Sequence, residues 1–137
     1  MAADLTTALR VSGAGMDAQT ARIRIVAENL ANQNTTGPNP GADAYRRRVI
    51  SFHNRLDHSL GVETVRVKNV GRDKSEQPTR YEPGNPAANK DGYVKTPNVN
   101  SFIELMDMRD AEHAYNANLN VASTTRSMLN KTIELLK

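Results

Sequence analysis

Cysteine and tryptophan are absent from the 137 residues, and aromatic side chains number only two Phe and four Tyr. Without thiols, the chain has no disulfide staple, no thiolate nucleophile and no cysteine-based zinc site. Aromatic rings supply much of a normal core's buried area, and a chain of this size already buries a smaller share of its surface than a large domain does. A thin core that gains stability from partners is therefore expected. No run approaches the roughly 18 apolar residues of a membrane span. The opening stretch MAADLTTALRVSGAG lacks the basic segment and apolar block of a cleavable secretory signal, which predicts a cytosolic protein or one exported by a route that reads no such signal.

What is present fits one domain, or a compact unit with a small insert. The hydrophobic fraction is 38% and mean hydropathy is −0.61, yet charges of both signs are balanced and apolar residues recur at regular intervals, unlike a disordered chain. The net charge of +3 is unevenly placed: residues 33–97 hold seven acids and eleven bases. That excess points to a surface facing something acidic, against the plainer reading of an ordinary solvated face.

From Asp4 to about Asn32 the chain reads as one helix. Leu5, Leu9, Ser12, Met16, Gln19, Ile23, Val26 and Leu30 alternate spacings of four and three, the seam of a coiled coil. Asp4 is placed to cap the free N–H groups and oppose the helix dipole. Ala8, Gly15, Ala18, Ala27 and Ala31 are small enough for a second helix to approach closely. QNTTGPNPGADAY then breaks the helix. Between Tyr45 and Tyr93, YRRRVISFH and VETVRVKNV suit two or three short strands of a small β unit. YEPGNPAANKDGYVKTP reads as a rigid, turn-rich connection, because Pro83, Pro86 and Pro97 each fix φ and remove a donor.

A second, longer helix is expected from about Asn100 to Leu136, opened by a capping box at Ser101-Phe-Ile-Glu104. Its seam runs through Leu105, Met108, Glu112, Tyr115, Leu119, Ala122, Arg126, Leu129, Ile133 and Leu136. A flanking stripe at Ile103, Met106, Ala114, Ala117, Val121, Met128 and Leu135 calls for neighbours on more than one side. The fold class expected is α+β: long N- and C-terminal helices, 1–34 and 98–137, paired as a coiled-coil-like hairpin, with a loop and small β-rich outer segment at 35–97. One helix partner covers one stripe, so self-association or a stack of unlike subunits is expected, and an open stack grows as a filament.

Chemistry has few footholds. His53, Asp57 and His58 lack a third ligand at a usual metal spacing. No G-x-S-x-G nucleophile signature is present. Gly13-Ala14-Gly15 lies within a helical seam with no strand before it, so close packing explains it better than phosphate binding. Tyr45-Arg46-Arg47-Arg48 is the one dense basic cluster and leaves open a binding module for nucleic acid or another acidic polymer. Three consecutive arginines on a strand alternate faces, however, which makes a poor single patch. No enzyme, cofactor or metal is expected.

Three segments carry a resemblance. ENLANQNTTGP resembles the end of the first helix in bacterial flagellar rod and hook proteins, which closes on Asn-Leu-Ala-Asn. YEPGNPAANKDGYVKTPNVN is similar to the stretch before the C-terminal helix in the proximal-rod members of that family. AEHAYNANLNVASTTRSMLNKTIELLK is similar to the C-terminal helix itself. The likeness covers almost the whole chain. The chain departs from the family pattern in the loop 34–45, in the weight of Arg46–Arg48, and in Glu112-His113 before Ala114.

The resemblance implies a structural rod subunit, exported by the flagellar type III apparatus and polymerised in the periplasm into the proximal drive shaft that passes through peptidoglycan. Its partners would be copies of itself and other rod proteins, without nucleic acid or a membrane span. Helices would line the tube and the β segment would face outward. The assembly residues implied are Leu5, Leu9, Met16, Ile23, Val26, Leu30, Tyr115, Leu119, Ala122, Leu129, Ile133 and Leu136. Tyr81, Pro83, Gly84, Asn85 and Pro86 would form the turn that sets the angle between helix and β unit.

Overall fold

The computed structural model describes residues 1–137. The chain runs α1 (Ala2–Ala31), β1 (Arg48–Asp57), β2 (Val62–Arg72), β3 (Thr79–Tyr81), β4 (Tyr93–Lys95) and α2 (Ser101–Leu135). Two long terminal helices enclose in sequence two two-stranded sheets, β1 with β2 and β3 with β4, as the α+β reading expects. In unit 2 (below), Asn29 meets Glu104 and Gln33 meets Ser101, so α1 and the start of α2 run antiparallel.

Local chemistry sets the boundaries. α1 is free of proline and ends where the Asn32 side chain donates to the Glu28 carbonyl (2.8 Å) and accepts from the Thr35 hydroxyl (3.1 Å), tying off the last turn. α2 starts one residue earlier than a capping box at Ser101 requires. Asn100 is the cap: its Oδ1 accepts from Phe102 N (3.0 Å), and its carbonyl takes the first helical bond from Glu104 N (3.0 Å). Ser101 bonds Gln33 instead, and the Glu104 side chain turns inward.

The β1–β2 turn is closed by Asp57, whose Oδ1 accepts from Ser59 N (3.0 Å) and Ser59 Oγ (2.6 Å). Gly61 sits at φ +67°, a left-handed conformation that disfavours any residue with a Cβ. The stretch Tyr81–Pro97, expected to be a connection only, holds the end of β3 and all of β4, in antiparallel register Thr79↔Lys95, Arg80↔Val94 and Tyr81↔Tyr93. The two tyrosine rings meet edge to face, 5.3 Å between centroids.

The chain forms two compact units. Unit 1 comprises Met1–Ile23, Ser51–Asn69 and Arg109–Lys137; its buried side chains are small, namely Ser12, Ala18, Thr64, Ala111 and Thr125. Unit 2 comprises Arg24–Ile50 and Val70–Met108, and buries Ile25, Val26, Asn29, Ala44, Gln77, Ala87, Val94 and Glu104. The largest fully buried side chains in the protein are Glu104, Val94 and Asn29, so two of the three are polar. The thin core expected from composition is thus one in which polar side chains are nearly as many as apolar ones.

Candidate assembly site

Asn29, within the Asn-Leu-Ala-Asn segment, is the hub of unit 2. Its Nδ2 donates to the Arg48 carbonyl (2.9 Å) and to Glu104 Oε2 (3.0 Å); its Oδ1 accepts from Arg48 N (2.8 Å) and the Tyr45 hydroxyl (2.9 Å). All four hydrogen-bonding positions of a buried amide are filled. The amide therefore takes the place of a neighbouring strand for the first residue of β1. Gln77 does the same for Ala44, accepting from its N–H (3.1 Å) and donating to its carbonyl (2.9 Å). Asn98 accepts from Arg47 N (2.8 Å) and donates to Ser75 Oγ (2.9 Å). Side-chain amides replace the apolar contacts this chain lacks.

The three arginines are held by internal partners. Arg46 pairs with Asp43 (3.0 Å), Arg47 pairs with Glu104 and with Asp107 (3.3 Å), and Arg48 pairs with Glu28. Only Arg48 lies in β1, and the three neighbouring arginines point apart to reach four different acids. The basic run is therefore not an open patch for an acidic polymer. Lys95 also reaches Asp43 (2.7 Å); that contact first, and Arg46 second, holds the Asp43 carboxyl below its usual range. Burial, then the neighbouring Glu28 carboxylate, pushes the Tyr45 phenol above its usual value.

The seam between the helices differs in phase from the expected one. On α1 the inward line is Ala8, Ser12, Gly15, Gln19, Arg22, Val26 and Asn29; on α2 it is Glu104, Met108, Ala111, Tyr115, Asn118, Ala122, Thr125, Leu129 and Thr132. Alternate members coincide with the expected seams, and the others are displaced by one residue: Gly15 for Met16, Asn29 for Leu30, Asn118 for Leu119, Thr125 for Arg126. The reason is steric. A Cβ on Gly15 would lie 2.8 Å from the Asn118 side chain, so the helices approach through small residues and the larger ones are left at the flanks. The seam is also polar, and Gln19 Oε1 is buried in it without a partner.

Of the twelve residues proposed for assembly, Val26 is buried, and Leu5, Leu9, Met16, Ile23, Leu30, Tyr115, Ala122 and Leu129 are half-buried. Leu119, Ile133 and Leu136 are exposed, as are Phe102, Ile103, Leu105, Met106, Val121, Met128 and Leu135, so α2 carries uncovered apolar residues on both flanks of its seam. Of the motif-turn residues, Tyr81 packs on Gly92, where φ is +84° and a Cβ would lie 2.8 Å from the ring. Asn85 N–H bonds the Glu82 carbonyl (3.0 Å), and Asn85 Oδ1 accepts from Ala87 N (2.9 Å); Pro83, Gly84 and Pro86 are exposed beside it. Sequence reading foresaw close approach at Gly15 but missed Asn118 as its partner, and missed Gln77, Asn98 and the inward role of Glu104. The available signal was a polar or small residue at a seam phase.

His53, Asp57 and His58 gather into no metal-holding group, and Asp57 is committed to its turn. No helix is long and apolar enough to cross a membrane. The polar groups drawn together serve each other, on helices whose apolar sides are uncovered: this is the build of a structural assembly subunit. Comparison with known proteins gives the class its particular family. Residues 9–38 match the family model described as flagella basal body rod protein, and residues 90–135 match that described as flagellar basal body rod FlgEFG protein C-terminal. The chain is 50% identical to flagellar basal-body rod protein FlgC of Agrobacterium fabrum, over 97% of this chain and 96% of that one. It is 38% identical to FlgC of Salmonella typhimurium (91% and 92% covered) and 31% identical to FlgC of Bacillus subtilis (94% and 96%). The chain belongs to the flagellar basal-body rod protein FlgC family, whose members are structural and not enzymes.

Proposed function

We propose that the chain polymerises through its terminal helices in the periplasm, after type III export, as part of the proximal drive shaft of the flagellar rod, with copies of itself and other rod proteins as neighbours. The helices would line the tube, the β segment would face outward, and the shaft would pass through peptidoglycan. The observation that carries this reading is the apolar surface left open on both flanks of the α2 seam, where Leu105 and Leu119 on one flank and Met106, Val121 and Met128 on the other are each about half exposed in the lone chain. Uncovered area on that scale marks an interface. A core of small and polar side chains also suits a chain that must be unfolded for export.

Leu119→Asp tests it, because Leu119 is exposed and its loss leaves the internal seam intact. The variant keeps the helical circular dichroism of the parent, while swimming is lost and the chain is missing from purified basal bodies. Normal swimming with the variant present in basal bodies would overturn this use of α2.

A further inference from the structure

On one flank of the α2 seam, Leu105, Glu112, Leu119, Arg126 and Ile133 recur every seven residues and so form one line along the helix. All five are exposed, Leu105 by 56%, Leu119 by 47% and Ile133 by 49%. The ion pairs of the chain involve neither Glu112 nor Arg126. These two stand fourteen residues apart on one helix, about 21 Å at the helical rise, so they can meet only across two copies.

Facing copies of this line fit in one parallel offset. Without an offset, Glu112 faces Glu112 and Arg126 faces Arg126, and like charges repel. An offset of seven residues sets Glu112 against Leu119 and Leu119 against Arg126. An offset of fourteen sets Leu105 against Leu119, Glu112 against Arg126, and Leu119 against Ile133. The adjoining line of the helix agrees. Asn116 then meets Asn130, and a facing amide pair is a device that fixes register between parallel helices. Arg109 meets Ser123, and Ser123 meets Lys137, so no like charges stand opposite one another. An antiparallel pair centred on Leu119 also joins Glu112 to Arg126, but it leaves Asn116 and Asn130 unmatched.

We infer that α2 helices of two neighbouring copies lie side by side and parallel along this line, offset by fourteen residues, with 105–119 of one copy on 119–133 of the next. The two halves of the line are different surfaces, so the contact is heterologous and does not close on itself; it propagates, as a helical shaft requires. The inference rests on the proposal that the chain polymerises in the rod.

Absence of native cysteine makes the test clean. A chain carrying both Asn116→Cys and Asn130→Cys is expressed, and basal bodies are isolated and oxidised. Disulfide-linked species larger than a dimer are expected, and none from either single variant, because each position faces only the other. Linkage by a single variant overturns the contact. The double variant present in basal bodies but unlinked overturns it too, while leaving the rod proposal intact. So does Leu119→Cys joined to itself, which is the antiparallel pair. Absence of the parent chain from basal bodies overturns the rod proposal and this contact with it.

Charge exchange reads the same contact independently. Glu112→Arg and Arg126→Glu each set like charges face to face, and each should cut incorporation about tenfold or more while keeping the parental helical circular dichroism. Both changes in one chain restore the pair in reverse and should return incorporation to the parental level. Single variants incorporated as well as the parent, or a double variant as poor as the singles, count against the contact.

Discussion

The side-chain amide of Asn29 pairs with both main-chain groups of Arg48, accepting from its N–H at 2.8 Å and donating to its carbonyl at 2.9 Å, nineteen residues along the chain. A single buried side chain thereby fixes where β1 leaves α1. Asn29→Ala strands the Arg48 N–H and carbonyl, the Tyr45 hydroxyl and Glu104 at once. Each buried group left unmet costs about 1–3 kcal/mol, so urea unfolding should show a loss of about 3 kcal/mol or more. Asn29→Asp keeps the shape but turns a donor toward Glu104 into a second carboxylate, and it should be no better tolerated than Ala.

Glu104 is fully buried, whereas Arg47 is 23% exposed and has a second acid in Asp107. The two truncations are therefore unequal. Arg47→Ala leaves a buried carboxylate without its cation and should cost about 3–5 kcal/mol. Glu104→Ala leaves Arg47 with Asp107 and some solvent, and should cost less. Denaturation of both variants and of the double variant checks this. A double variant no worse than Arg47→Ala alone identifies the stranded carboxylate as the source of the loss.

Gly15 and Asn118 give a prediction whose sign depends on background. Alanine is better than glycine in a helix by about 1 kcal/mol, yet here its Cβ would lie 2.8 Å from the Asn118 amide. Gly15→Ala should lower the melting temperature in the parent, by driving Asn118 off its bond to the Ala114 carbonyl (2.9 Å). In an Asn118→Ala background the same change should raise it.

Tyr45 predicts an alkaline effect. Burial holds its phenol above the ordinary value of 10.0, so the folded state favours the neutral, hydrogen-bonded form. Stability from this group is fully present below about pH 10 and is lost as pH rises through the folded-state value. Tyr45→Phe removes one donor to Asn29 and should cost about 1 kcal/mol at neutral pH. Parent and variant should converge in urea titrations carried above about pH 10.

How far the sequence led can be read from particular residues. Spacing of fours and threes placed α1 and α2 within two residues of their observed ends, because backbone hydrogen bonding and helix breakers are local properties. The motif segments identified the family, and Asn29 and the Tyr81–Asn100 stretch prove to be where side-chain amides organise unit 2. The cap at Asn100 and the strand at Tyr93–Lys95 were not legible, since each depends on what a side chain meets far along the chain: Glu104 turns to Arg47 instead of back to its own helix start.

By itself, then, the sequence determined two terminal helices, a small β segment, a core poor in large side chains, and the family. Only the tertiary structure decided which line of each helix faces the other. A periodic pattern defines a lattice of positions but not its phase, and phase is ordinarily read by giving the largest apolar residues to the inside. Here the interior takes Gly15, Ala111, Asn118 and Thr125 because close approach favours small side chains, and Leu119, Val121 and Met128 are left outside.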